Sequence, residues 1–263
     1  MAAPRNRSHI FIATAPAAEP FTPHPRTIPS RPFQRPRDRV VHAAVLTANL
    51  QAAQAEATTR REASVLHVGG AEPGLYIQFE APPGVDLKLD SLDVKKRGIS
   101  LVAVQRTASV EGSGGVESAT VFVPDGALSH FLSRLNQYAT EETLKGKPKH
   151  RELVDRIASI RLATLRALWT DGADAYPSES ESIWWEVWLR RTDGNEISRL
   201  RGFSGESDVA TGERSLVFDD RVVCLICASP VQLSAALDVL SDLAELRRAR
   251  TGTSFFVDLA VSD

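Results

Sequence analysis

The feature that most constrains this chain is a strand–proline–helix pattern that occurs twice, roughly 105 residues apart. Val121-Phe122-Val123 runs into Pro124 ahead of Leu128 and Phe131, and Leu225-Ile226-Cys227 runs toward Pro230 ahead of Leu233 and Leu237. A short apolar run closed by a proline reads as a buried strand, because proline removes a ladder donor but is tolerated where a helix begins. The period is too long, and repeated too few times, for a solenoid. Two consecutive units of one architecture are expected instead.

The first unit is preceded by a helix. Asp38 is a plausible N-cap, Val41, Val45, Leu46 and Leu50 recur at helical spacing, and alanines sustain the helix to about Ala63. Gly69-Gly70 and Pro73-Gly74 mark the turn that follows. Strands are predicted at Leu75–Glu80, Ile99–Gln105 and Ala119–Val123. Pro82-Pro83-Gly84 breaks the first of them, and a short segment then carries Val85, Leu87, Leu89 and Leu92. Leu128, Phe131, Leu132 and Leu135 fall at i, i+3, i+4 and i+7, which predicts an amphipathic helix.

A long joining helix is expected next, with Leu153, Ile157, Ile160 and Thr164 or Leu165 on one face and Leu168 extending it. Its arginines, at 151, 156, 161 and 166, step around the helix and form no single basic stripe. The second unit then opens with a strand at Ile183–Arg190 and returns at Arg221–Ala228. A closing helix carries Leu233, Ala236, Leu237, Leu240 and Leu243. Strands and helices in this order predict an α+β fold of two ferredoxin-like α/β sandwich units. The expected organisation is an arm over 1–36, a helix plus the first unit over 37–148, a linker helix plus the second unit over 149–259, and a tail over 260–263.

Composition limits what the arm and the whole chain can do. Eight of the fifteen prolines lie in residues 1–36, and residues 1–39 hold seven arginines against Glu19 and Asp38. This composition reads as a solvated, disordered Pro/Arg-rich arm. Few aromatics interleave with the arginines, so nucleic acid is not favoured as a partner. The net charge of −2 demands no anionic partner either. No apolar run is long enough to span a membrane and no secretory leader is legible, so no membrane association is expected and the location is read as cytoplasmic.

No constellation of residues carries an obvious chemistry. Cys224-Leu-Ile-Cys227 is a CxxC, yet it lies inside an apolar strand where residues three apart face opposite sides. A redox pair would sit at a helix N-terminus and a zinc site would need two more ligands, so two core thiols are expected. In Trp184-Trp185-Glu186-Val187-Trp188, apolar groups alternate onto both faces, which reads as a covered strand with the indoles as core anchors. The histidines, among them His42, His67, His130 and His150, belong to no catalytic motif. Glu111–Gly115 lacks the ending of a phosphate loop. Glu179, Glu181, Asp219 and Asp220 show no metal-loop spacing, and no cofactor is expected.

Several of these stretches together resemble the amino-terminal region of a bacterial group of large subtilisin-like (S8) serine peptidases. They are Arg37-Asp38-Arg39 with His42 and Leu46, Phe79-Glu80-Ala81-Pro82-Pro83-Gly84-Val85-Asp86-Leu87, Ala119–Pro124, Gly146-Lys147-Pro148, Ile160–Leu165, Leu168–Asp171, Trp184–Leu189 and Asp242–Arg247. The resemblance spans residues 37 to about 259 and includes no catalytic residue. It implies a region ahead of a subtilase catalytic domain. Members of the group are often encoded beside an AAA-type ATPase, and some are implicated in anti-phage defence.

The family's nucleophile motif is Gly-Thr-Ser-Met-Ala-Pro. Gly252-Thr253-Ser254 repeats its first three letters, but Phe255-Phe256-Val257-Asp258 follows, so no Asp/His/Ser triad is assigned. The resemblance implies a non-catalytic regulatory or folding region that meets a subtilase catalytic domain in cis or in trans. Its docking tail would include Ser254, Phe255, Phe256 and Asp258. The alternative is a stand-alone sensor or adaptor module that binds an AAA-type ATPase or another partner through the basic arm.

Overall fold

Helix α1 (Arg39–Ala63) starts where the sequence places it. The Asp38 carboxylate accepts the N–H groups of Val40 at 2.9 Å and Val41 at 3.2 Å, two donors that a helix start leaves without intrahelical partners. This computed structural model describes residues 38–107 and 115–250, and all that follows concerns them. The buried stripe of α1 is His42, Ala43, Leu46, Leu50, Ala53 and Ala57. Val41 and Val45, expected on the same face, are 59% and 49% exposed. The alanines, which carry little weight in a hydrophobic pattern, let the helix lie close to its sheet, and that contact rotates the valines outward.

The first sheet is four-stranded and antiparallel. It holds β1 (Gly74–Glu80), β2 (Ser100–Thr107), β3 (Val116–Pro124) and β4 (Ser159–Leu162) in the order β2-β3-β1-β4. Two 3₁₀ turns, Leu89–Ser91 and Lys95–Arg97, lie between β1 and β2. Helix α2 (Ser129–Thr140) and the short α3 (Arg151–Val154) lie between β3 and β4. One face of the sheet presents Leu75, Ile77, Phe79, Ala119, Val121, Val123 and Ile160. They form a core with Leu46 and Leu50 of α1 and Phe131 and Leu135 of α2. Phe79 and Phe131 meet at 5.2 Å between ring centroids, a favourable tilted pair.

The long joining helix expected from residue 149 onward is corrected here. Helix α3 ends at Val154, Ala158 N–H donates to Glu80 C=O at 2.7 Å, and β4 then pairs antiparallel with β1, Phe79 opposite Ile160. Leu153, Ile157 and Ile160 all point into the first core, but from a helix, a turn and a strand in succession. Their helical spacing is a coincidence of three separate burials, and pairing with a strand some 80 residues earlier outweighs local propensity. The chain then passes through a 3₁₀ turn, Leu165–Leu168, whose leucines enter the second core.

The second sheet repeats the order of the first. It contains β5 (Ile183–Arg190), helix α4 (Glu196–Glu206), β6 (Ala210–Val217), β7 (Arg221–Ala228), helices α5 (Pro230–Ser234) and α6 (Ala236–Val239), and β8 (Leu243–Arg248). The strand order is β6-β7-β5-β8, antiparallel throughout. Ser229 and Gln232 close a capping box on α5 with Pro230 in its first turn, which is why this proline starts the helix cleanly. Leu243, expected on the closing helix, instead opens β8 beside β5. Helix α4 and strand β6 have no counterpart in the sequence reading. Gly202 and Gly205 weaken the helical signal of α4, and β6 is largely exposed.

The second core collects Trp185, Val187 and Leu189 of β5, Cys224 and Ile226 of β7, Leu246 of β8, and Leu200, Phe203, Leu233 and Leu237 from the helices. Tyr76 and Phe122, on the other face of the first sheet, belong to it as well. The Tyr76 hydroxyl donates to Leu240 C=O and the Thr120 hydroxyl to Ala167 C=O, both at 3.0 Å. Both faces of the first sheet are therefore used, one for its own helices and one for the second unit. No helix among the described residues is long and apolar enough to cross a membrane.

The α1 register makes a direct prediction. Leu46→Ala should lower unfolding stability by about 2–5 kcal/mol, as expected for a fully buried leucine, while Val45→Ala should stay within about 0.5 kcal/mol of the parent. Urea denaturation monitored by circular dichroism measures both.

Candidate functional site

On β5, alternate residues Trp184, Glu186 and Trp188 turn away from the second core. Strand register brings Cys227, Leu225 and Val223 of β7 beside them. On the other side, β8 places Arg247 beside Glu186 and Glu245 beside Trp188. Trp188 stacks on Phe218 with ring centroids 5.8 Å apart and planes 7° from parallel. The Arg247 guanidinium lies 4.9 Å from the Trp188 ring centroid, held by Glu245 and by the Thr170 hydroxyl. Trp184 is 43% exposed, and Leu216, Val217 and Phe218 form an exposed apolar rim where β6 ends.

This arrangement corrects the expectation that the strand is covered on both sides with its indoles as core anchors. Trp185 alone is fully buried, its ring N–H donating to Ala228 C=O at 2.8 Å and its ring edge-on to Trp169. Trp184 and Trp188 lie on the outward face, and the Trp188 ring nitrogen has no hydrogen-bond partner among the described residues. Apolar groups on both sides of a strand do not say how many layers cover it. Exposed aromatics such as Trp184 and Phe218, flanking the half-buried Trp188, are the kind of patch that marks a protein contact.

The remaining candidates separate clearly. Cys224 faces the core opposite Val187, and burial pushes its thiol pKa up; Cys227 lies on the outward face opposite Trp184 and is half-buried. The two thiols thus point to opposite sides, and one of the two expected core thiols is a surface-face residue. His42 is buried, with Nε2 3.1 Å from Val154 C=O. His67 lies in the segment between α1 and β1, where its backbone N–H donates to Glu206 at 2.7 Å. Glu181 pairs with Arg248 and Asp220 with Arg221. No group of three or more His, Cys, Asp or Glu among the described residues could hold a metal ion. Glu111–Gly114, the arm over 1–36, and the docking-tail residues Ser254, Phe255, Phe256 and Asp258 lie outside the described residues.

The sequence reading missed a buried polar knot beneath this face. Arg199 of α4, 4% exposed, bonds Asp242 at 2.6 Å and grips both oxygens of Asp193 at 2.9 Å. It also donates to Gly70 C=O at 3.2 Å, in the segment between α1 and β1. Beside it, the Glu196 carboxylate accepts the backbone N–H groups of Thr192, Asp193 and Gly194 at 2.5–3.0 Å. Burial alone would raise the Glu196 pKa, but those three N–H donors outweigh it and hold the group at about 2. The signal available in sequence was Asp193-Gly194-Asn195-Glu196, a turn leading into a helix start.

The observations define a class: an α+β protein of two like-ordered antiparallel sheets, one with an aromatic outward face. The family model of the Y4kK N-terminal domain matches residues 40–164, a little under half of the chain. That span runs from the start of α1 to two residues past β4, so the similarity coincides with the first unit as the structure draws it. No curated protein matches the chain.

Arg199→Met should destabilise the fold by about 3–5 kcal/mol, because it leaves Asp242 buried without its counter-charge; thermal denaturation measures this. Glu196 carries a pKa below the ordinary ~4.3 of a glutamate. Its contribution is complete above that value and is lost as pH falls toward about 2. Glu196→Gln should therefore flatten the stability profile below about pH 4, where the parent loses stability.

Proposed function

We propose that this chain is the non-catalytic N-terminal regulatory or folding region of a subtilisin-like serine endopeptidase of the defence-associated group. Its units are read as ferredoxin-like sandwiches, and its role as docking on the catalytic domain. The observation that carries the reading is the order shared by both sheets: in each unit the strands, taken in chain order, lie 2-3-1-4, with helices on the core side. That is the arrangement of a β-α-β-β-α-β sandwich, the fold that the subtilase resemblance implies for a propeptide-like region. In the second unit both crossovers contain helices, α4 and α5–α6. In the first, the 3₁₀ turns stand where the first helix would be.

The outward face of the second sheet supplies a surface for such docking. Trp184, Trp188 and Phe218 offer large rigid rings at low conformational cost, and Arg247 and Glu186 add charge beside them. The tail Ser254, Phe255, Phe256 and Asp258 is the second element of the reading and would approach the protease cleft. Two contacts of different kinds, a sheet face and a chain end, let binding and inhibition be separated.

The test uses the full chain with a purified catalytic domain of this peptidase group, following complex formation and peptidase activity. Binding at micromolar concentration with inhibition is expected. Trp184→Ala/Phe218→Ala should weaken the complex about tenfold or more without altering the thermal transition. Removing residues 251–263 should relieve inhibition more than binding. A folded sample that neither binds nor inhibits sinks the in-trans reading, and capture of an AAA-type ATPase in its place would favour the adaptor alternative.

A further inference from the structure

We propose that the exposed turn Lys95–Arg97, with the adjoining half-buried flank of α2 that carries Arg134 and His130, is a docking surface for an acidic, carboxylate-rich peptide segment of a partner protein. This surface lies on the first unit and does not depend on the subtilase reading. His130, Arg134 and Gln137 fall at i, i+4 and i+7 and share one side of the helix. Arg134 donates to Ser91 C=O at 2.8 Å, which ties that side of α2 to the turns running on to Lys95, Lys96 and Arg97. His150, in the left-handed region at φ 56°, extends the patch by placing its Nε2 2.7 Å from the Gln137 side-chain oxygen.

The patch gathers cations that have no counter-charge among the described residues. Arg39, Arg61, Arg106, Arg151 and Arg199 each meet a carboxylate. Lys95, Lys96, Arg97 and Arg134 make no ion pair among the described residues, and the first three are exposed. Of the nearby acids, Asp90 lies 4.0 Å from Lys88 and Asp93 accepts the Leu101 N–H, while Glu141 pairs with Lys149 and also faces His150. Nε2 of His130 is buried without a hydrogen-bond partner among the described residues. Burial, then the charges of Arg134, Arg97 and His150, push His130 down to about 4. Burial and Arg97 also lower Arg134. The charges of Arg134 and Arg97 oppose protonation of His130, which is neutral near pH 7, and an arriving carboxylate would match the forked guanidinium donors.

A peptide is favoured over nucleic acid by what surrounds the cations. Single-stranded nucleic acid binds on exposed aromatic platforms along a basic track. The large aromatics exposed among the described residues are Trp184 and Phe218, on the outward face of the other sheet. The cations here form one compact cluster.

The experiment is fluorescence anisotropy of a labelled octaglutamate peptide titrated with the full chain at low salt. A labelled DNA duplex of similar charge is run alongside, and circular dichroism checks each variant. Binding of the peptide is expected, with affinity falling as salt rises. Lys95→Ala/Lys96→Ala/Arg97→Ala on the exposed turn, and separately Arg134→Ala, should each weaken it, the triple variant by about tenfold. Lys145→Ala/Lys147→Ala, which removes two exposed lysines outside the patch, should leave it unchanged. The bound peptide should also raise the titration midpoint of the His130 ring protons above about 4, followed by NMR. Failure to bind at low salt, equal losses in the Lys145/Lys147 control, or tighter binding of the duplex through the same residues would each overturn the proposal.

Discussion

The buried guanidinium of Arg199 is the contact on which the second unit most depends. A charge taken out of water costs several kcal/mol unless it is paired and hydrogen-bonded, and here every direction of the fork is used. Asp242 precedes β8, Asp193 belongs to the β5–α4 loop, and Gly70 lies between α1 and β1. One side chain thus fixes where β8 begins, how α4 leaves β5, and how the chain enters the first sheet. The same knot explains why the closing helix stops at Val239. Residues 240–242 turn so that the Asp242 carboxylate can meet Arg199, and the chain leaves that turn already aligned with β5.

A second dependence follows from the shared face of the first sheet. Tyr76 and Phe122 point away from α1 and α2 and into the core of the second unit, where Leu165, Leu168 and Trp169 complete the contact. The Tyr76 hydroxyl is satisfied by Leu240, so its burial raises its pKa without leaving a polar atom stranded. With its own helices on one side and the second unit on the other, the first sheet is a central layer. Among the described residues the second sheet is covered on one side, and its outer side carries Trp184, Trp188 and Phe218. This asymmetry is why the docking proposal falls on that face.

Much of the fold was legible because it rests on local signals. Asp38 caps α1, Pro230 opens α5 with Ser229 and Gln232, and the amphipathic spacing of Leu128, Phe131 and Leu135 yields α2. The strands at 74–80, 116–124, 183–190 and 221–228 follow from dense apolar runs. The failures fall where one pattern serves two structures. Leu153, Ile157 and Ile160 have helical spacing but belong to a helix, a turn and an edge strand. Leu243 continues a helical period yet begins β8.

The sequence by itself determined α1, α2 and the apolar central strands, the doubled strand–proline–helix unit, and the opposed orientation of Cys224 and Cys227, because each depends on residue type and short-range period. Only the tertiary structure decided which segments pair across long separations, which face of each sheet is covered, and which polar groups meet inside. β4 is a strand because β1 offers it an edge. Trp184 is exposed and Trp185 buried because, among the described residues, the second layer packs on the Trp185 side. Arg134 joins a cluster of cations without ion pairs among the described residues because the Lys95–Arg97 turn folds beside α2. Each of these outcomes is a balance between burial and partner choice that no stretch of neighbouring residues encodes.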